Sequence, residues 1–174
     1  MPADAHAGRV ARLSIWVFAG VFLVYLLSGC QETPDKVRAV KGEKAPAFSL
    51  FDLDGEQVSL ADFEGKVVLV EFWATWCPPC RESVPATNKL FRKYRDRGLA
   101  ALVIAVQDKA DQVADFVREH DIELPVLLDD GAVSQVYGVR GIPAMFFVSR
   151  SGLITNELEG YSPSADASSR DERS

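Results

Sequence analysis

A nearly continuous apolar run, VVLVEFW over 67–73, stops four residues before Cys77-Pro78-Pro79-Cys80, and an amphipathic stretch begins there. A run of that kind suits a strand covered on both faces, as in a parallel sheet. From Pro78 to Arg97, Val84, Thr87, Phe91 and Tyr94 recur at three- and four-residue steps. That spacing predicts a helix with one apolar face, closed by Gly98. Strand, tight turn and helix therefore place the two cysteines at the helix start. The same alternation continues downstream. Leu99–Val106 reads as a second buried strand, and Asp108–His120 as a helix with Val113, Phe116 and Val117 on one face. Pro125–Leu128 is a short strand and Ala132–Tyr137 a short helix. Ala144–Val148 and Leu153–Leu158 pair around the Ser151-Gly152 turn. Upstream, Phe48–Phe51 and Gln57–Leu60 flank Asp54-Gly55, a hairpin signal. Strands alternating with helices define an α/β chain with a mixed central sheet flanked by helices.

The third cysteine is not part of this pattern. Cys30 closes an uncharged run, residues 13–29, that follows Arg9 and Arg12. A basic stretch, an apolar stretch and small residues form the layout of an export signal. The run is 17 residues, just short of the ~20 that span a bilayer. An uncleaved anchor therefore stays open beside a removable signal over 1–29. The closing Leu27-Ser28-Gly29-Cys30 resembles the lipobox of bacterial lipoprotein signal peptides. That resemblance implies that Cys30 becomes the first mature residue and carries the lipid. Residues 30–44 are polar, contain Pro34, and read as a flexible tether; a short edge element of the domain is the alternative. The net charge of −6 argues against a nucleic-acid partner, which calls for a basic patch or stripe.

Trp73-Ala-Thr-Trp76-Cys77-Pro-Pro-Cys80, with VVLVEF before it, resembles the active-site strand of the thioredoxin superfamily. Gly141-Ile142-Pro143-Ala144 resembles that family's cis-proline loop. The segment KAPAFSLFDLDGEQVSLADFEGK is similar to the N-terminal hairpin of the TlpA/ResA-like branch. Asp108–Leu128 fits the helix–strand insert of that branch. The likeness covers Lys41 to about Tyr161. It implies a thioredoxin-like domain over 45–161. It also implies a membrane-tethered thiol–disulfide oxidoreductase on the extracytoplasmic side, facing the periplasm in a Gram-negative cell. The expected role is reduction of protein disulfides, for example in apocytochrome c or another envelope protein. Electrons would come from a membrane thiol donor, and no cofactor beyond the dithiol is implied. Two other readings remain. A peroxiredoxin-like peroxidase shares the N-terminal hairpin, but places Thr three residues before its cysteine, where this chain has Ala74. A non-catalytic binding lipoprotein or copper chaperone would use wider cysteine spacing and histidine.

On this reading Cys77 is the attacking nucleophile, because unpaired N–H groups and the helix dipole favour a thiolate there. Cys80 resolves the mixed disulfide and leaves Cys77–Cys80 oxidised. Zinc is not expected, since a structural site needs four ligands and only His120 lies outside the first 29 residues. Glu71 lies where thioredoxins carry a buried acid. Burial would raise its pKa and let it take the proton of Cys80. Relatives often carry an acid three residues after the second cysteine; here that residue is Ser83. Trp76 is expected to face substrate, and Trp73 to pack in the core. Pro78 and Pro79 set the turn between the cysteines. Ile142 and Pro143, joined by a cis bond, would present backbone to a substrate peptide. Beyond Tyr161 the chain is SPSADASSRDERS, with no aliphatic residue larger than Ala. Residues 162–174 are expected to be disordered, so the closing helix of the fold is absent from the sequence pattern.

Overall fold

The computed structural model describes residues 39–162. All of them belong to the second of two compact units, Lys36–Ser174. The export signal, Cys30 and all but Ser162 of the expected tail lie outside the described residues. Among the described residues no helix is long and apolar enough to cross a membrane.

Seven strands form one sheet. β1 (Ser49–Asp52) and β2 (Gln57–Ser59) make the N-terminal hairpin, with Phe51 opposite Gln57. β3 (Val67–Trp73) leads through the cysteine turn into α1 (Cys80–Tyr94). β4 (Leu99–Val106), α2 (Ala110–Glu119) and β5 (Val126–Asp129) follow. The chain then runs through α3 (Ala132–Tyr137), β6 (Ala144–Val148) and β7 (Ile154–Glu159). The spatial order is β2-β1-β5-β4-β3-β6-β7. β3, β4 and β5 run parallel, and the outer pairs are antiparallel. The expected thioredoxin-like mixed sheet is therefore what the chain forms.

The helix–strand insert has a structural task. β5 lies between β4 and β1, so it alone connects the N-terminal hairpin to the central strands. The central strands are apolar on both faces because helices cover both. Along β3, side chains alternate across the sheet. Val68, Val70 and Phe72 enter one core with Leu102, Ile104, Phe146 and Tyr137. Leu69 and Trp73 enter the other with Val84, Val103, Val113 and Phe116. Tyr137 satisfies its buried hydroxyl by donating to the Pro46 carbonyl at 2.8 Å.

The largest differences from the sequence reading are at the helix after the cysteines and at the tether; other element ends shift by at most two residues. The helix expected over Pro78–Arg97 begins at Cys80, because Pro78 and Pro79 occupy the entry turn, and it ends in a 3-10 turn over Arg95–Arg97. Pro85 sits inside it, where it removes the bond to the Arg81 carbonyl. The tether expected to reach Lys44 is docked on the domain from Ala39 onward. Ala39 is buried in the core, Gly42 donates to the Ile154 carbonyl at 2.8 Å, and Ala45 donates to the Gly152 carbonyl at 2.9 Å. Its polar composition concealed this, because the contacts are made mostly by backbone. The sheet ends on β7, which is mostly exposed; no helix follows it among the described residues. Leu158 on β7 and Leu90 on α1 are exposed on the α1 side of the sheet.

Candidate active site

The site forms where β3 runs into α1. Cys77 and Cys80 are joined in a disulfide with their Cα atoms 5.3 Å apart. The Cys80 amide donates toward Cys77 Sγ at 3.3 Å, and the Cys80 and Arg81 amides also point back to the Cys77 carbonyl. When the pair is reduced, that amide and the helix dipole favour negative charge on the Cys77 sulfur. Cys80 is fully buried and Cys77 nearly so. The Ile142–Pro143 peptide bond is cis, and the Ile142 carbonyl oxygen lies 3.6 Å from Cys77 Sγ. Two segments about 65 residues apart in sequence thus meet at one sulfur. Trp76 stands beside them and is 63% exposed, whereas Trp73 is wholly buried against Phe116.

Behind the cysteines sits Glu71. The pleat of β3 turns it toward α1, in register with Val103 and Met145 on the neighbouring strands. α1 buries Cys80, Ser83, Val84, Thr87 and Asn88, the three- and four-residue steps of one face. Ser83 therefore arrives above Glu71 and its Oγ donates to Oε1 at 2.5 Å. The second carboxylate oxygen, Oε2, is buried with no partner among the described residues. Burial raises the Glu71 pKa to about 7, against the opposing pull of hydrogen bonds from Ser83 and Thr87. A carboxyl poised there exchanges a proton near neutral pH, the condition for acid–base work. Ser83 is thus the partner of a carboxylate supplied from the strand. Sequence reading marked Ser83 only as a missing acid; its place on the same helical face as Cys80 is the signal that relates them.

Asp108 is a further residue that sequence reading missed. Its Oδ2 accepts the Thr75 amide at 2.6 Å, and its Oδ1 accepts the Thr75 hydroxyl at 3.1 Å and the Lys109 amide at 2.8 Å. The loop before Cys77 is thereby tied to the start of the insert, 33 residues away. Asp108→Ala is expected to leave the Thr75 amide unpaired and lower unfolding free energy by about 1–3 kcal/mol, read from urea unfolding of the oxidised protein. Among the described residues no group of three or more His, Cys, Asp or Glu is placed to hold a metal.

A redox disulfide at the start of a helix, on a thioredoxin-like sheet and beside a cis-proline loop, defines a thiol–disulfide oxidoreductase. A model of the AhpC/TSA family matches residues 41–157, and the chain belongs to that family. Among curated relatives, the thiol-disulfide oxidoreductase ResA of Bacillus thuringiensis subsp. konkukian is 35% identical over 120 residues, covering 68% of this chain and 69% of its own. The thioredoxin-like protein YneN of Bacillus subtilis is 36% identical over 150 residues, covering 82% of this chain and 88% of its own. A crystal structure of a thiol:disulfide interchange protein of the thioredoxin family from Chlorobium tepidum superposes with a TM-score of 0.67 at 29% identity. That match covers 74% of this chain and 92% of the other.

Proposed function

We propose that this chain is a membrane-tethered reductant of protein disulfides on the extracytoplasmic side of the cell envelope. The observation that carries the reading is the meeting of the Cys77–Cys80 disulfide with the Ile142 carbonyl, with buried Glu71 linked to Cys80 through Ser83, whose Oγ lies 2.5 Å from Oε1 and 3.3 Å from the Cys80 carbonyl oxygen. In the reduced protein the Cys77 thiolate attacks one sulfur of a substrate disulfide. The substrate S–S bond breaks, one substrate thiolate leaves, and a mixed disulfide forms on Cys77. Glu71 accepts the Cys80 proton, and the Cys80 thiolate attacks Cys77 Sγ. The second substrate thiolate leaves, the substrate has gained two electrons, and Cys77–Cys80 is oxidised. A membrane thiol donor returns the pair to the dithiol.

Each flanking residue has a part. Ile142 and Pro143 offer backbone to an extended substrate segment beside its cysteine. Trp76 covers the reacting sulfurs, and Pro78 with Pro79 holds the turn that spaces them. Cys30 carries the lipid that replaces residues 1–29, and apocytochrome c is one substrate that fits this setting. The test is capture in cells with full-length Cys80→Ala, which stops the reaction at the mixed disulfide. Accumulation of a specific envelope protein cross-linked through Cys77 is the expected result. A reactive Cys77 that captures nothing refutes the reductant role. Mass spectrometry of the membrane form reads Cys30 separately: a free thiol there, with Met1 retained, removes the lipid.

The AhpC/TSA match keeps a peroxidase as a second reading. The geometry weighs against it, because the Thr75 hydroxyl donates to Asp108 and Ala74 occupies the site three residues before Cys77. A direct assay is expected to show no peroxide consumption above the free-thiol background.

A further inference from the structure

At the end of the sheet away from the cysteines lies a cavity of about 360 Å³ that the redox chemistry does not use. It opens between the start of β3 and the β6–β7 turn. Lys44, Lys66 and Arg150 surround it, with Glu64 the single acid, and Phe63 and Val148 on its apolar side. In a chain of net charge −6, this is a local excess of cations. Lys44, Lys66 and Arg150 form no salt bridge among the described residues. Lys44 folds over the turn, where a Cβ placed on Gly152 would stand 3.7 Å from its Nζ. Arg150 reaches the other way, with Nη2 3.7 Å from a Cβ placed on Gly98. Lys66 Nζ rests over the Phe63 ring at 5.6 Å.

We propose that this cavity seats the phosphate of an anionic phospholipid headgroup at the membrane surface. The inference rests on the tethered reading above, and three features of the chain support it. First, cations around an apolar-lined cavity match a phosphate attached to a glycerol backbone, with Lys44 and Lys66 supplying charge-assisted hydrogen bonds and Arg150 adding positive charge at the rim. Second, Ala39 is nine residues from Cys30, so the chain between them reaches at most about 32 Å. Lys44, five residues further on, lines the cavity, so the chain enters the domain along its cationic end. Third, β3 is seven residues long, which sets its far end, before the cysteine turn, about 20 Å from the cavity along the strand. Headgroup contact at Lys44, Lys66 and Arg150 therefore turns Cys77 and Trp76 away from the bilayer and toward substrates.

The experiment uses the full chain in lipid nanodiscs, once with phosphatidylcholine alone and once with half the lipid replaced by phosphatidylglycerol. Amine-reactive labelling is read residue by residue by mass spectrometry, with exposed Lys89 on α1 as the reference. Labelling of Lys44 and Lys66 relative to Lys89 is expected to fall by about fivefold in the anionic discs, the scale of one cation at such a surface. High salt should restore it. Arg150→Gln should weaken the protection while disulfide reduction stays unchanged. Equal labelling in both discs overturns the proposal, as does full protection in Arg150→Gln. Equal protection by inorganic phosphate added to phosphatidylcholine discs overturns the lipid assignment. Retention of the chain by the discs reads tethering on its own. If the chain is not retained, the same labelling with free phosphatidylglycerol vesicles still decides the cavity: protection supports it and none refutes it.

Discussion

Cys77→Ser is expected to bring reduction of a protein disulfide down to the background set by free thiol in the assay. The loss should be on the order of 10⁴-fold, as when an activated nucleophile is removed from other enzymes. Three features combine at that sulfur. It sits ahead of α1, where the helix dipole favours negative charge. The Cys80 amide points at it from 3.3 Å. The Ile142 carbonyl lies 3.6 Å away, so the segment that would pair with substrate adjoins the attacking atom. Serine keeps the shape but ionises far too weakly to use them. The check is stopped-flow reduction of a model disulfide protein with the reduced variant. Activity above one-tenth of the parent would move the nucleophile elsewhere. Cys80→Ala should differ in kind, because it keeps the first attack and loses only the release.

Glu71→Gln is expected to slow resolution of the mixed disulfide by about 10²-fold at pH 8, the range for a positioned general base. A base must be deprotonated to act. With the Glu71 pKa raised to about 7, the resolution rate of the parent should rise through pH 7, and the variant should lack that rise. Stability supplies an independent reading. The folded-state pKa lies above the ordinary 4.5, so between these values the folded protein holds a proton that the unfolded chain has released. Unfolding free energy should therefore fall as pH rises from about 4.5 to about 7, by roughly 3 kcal/mol in all, and stay at the lower value above. Glu71→Gln should remove that slope. A rate and a stability profile unchanged by the substitution would take Glu71 out of the mechanism. Burial sets the direction of that slope, and the hydrogen bonds from Ser83 and Thr87 offset it only in part.

The strands and helices were legible because their signals are local. VVLVEFW and LAALVIAV, at 67–73 and 99–106, match the observed strands to the residue, because runs covered on both faces are apolar at each end, even with Glu71 inside the first. The helix start was less legible. Pro78 and Pro79 fit the first turn of a helix as well as the turn before it, and only the backbone places them before Cys80. Residues 39–44 looked like tether because docking through backbone hydrogen bonds leaves no apolar period behind.

By itself the amino-acid sequence determined the dithiol, its place between a buried strand and a helix, and the α/β class. Each follows from residue spacing along a few turns of chain. It also singled out Glu71 and Pro143, through the resemblance of their surroundings to the thioredoxin superfamily. Only the tertiary structure decided what those residues meet. Ser83 reaches Glu71 because α1 crosses β3 at one particular rotation. Asp108 holds Thr75 because the insert folds back over the sheet. Lys44, Lys66 and Arg150 surround one cavity because the segment before β1, the start of β3 and the β6–β7 turn converge there. Contacts between segments far apart in sequence depend on how elements pack, and spacing along the chain carries no record of that.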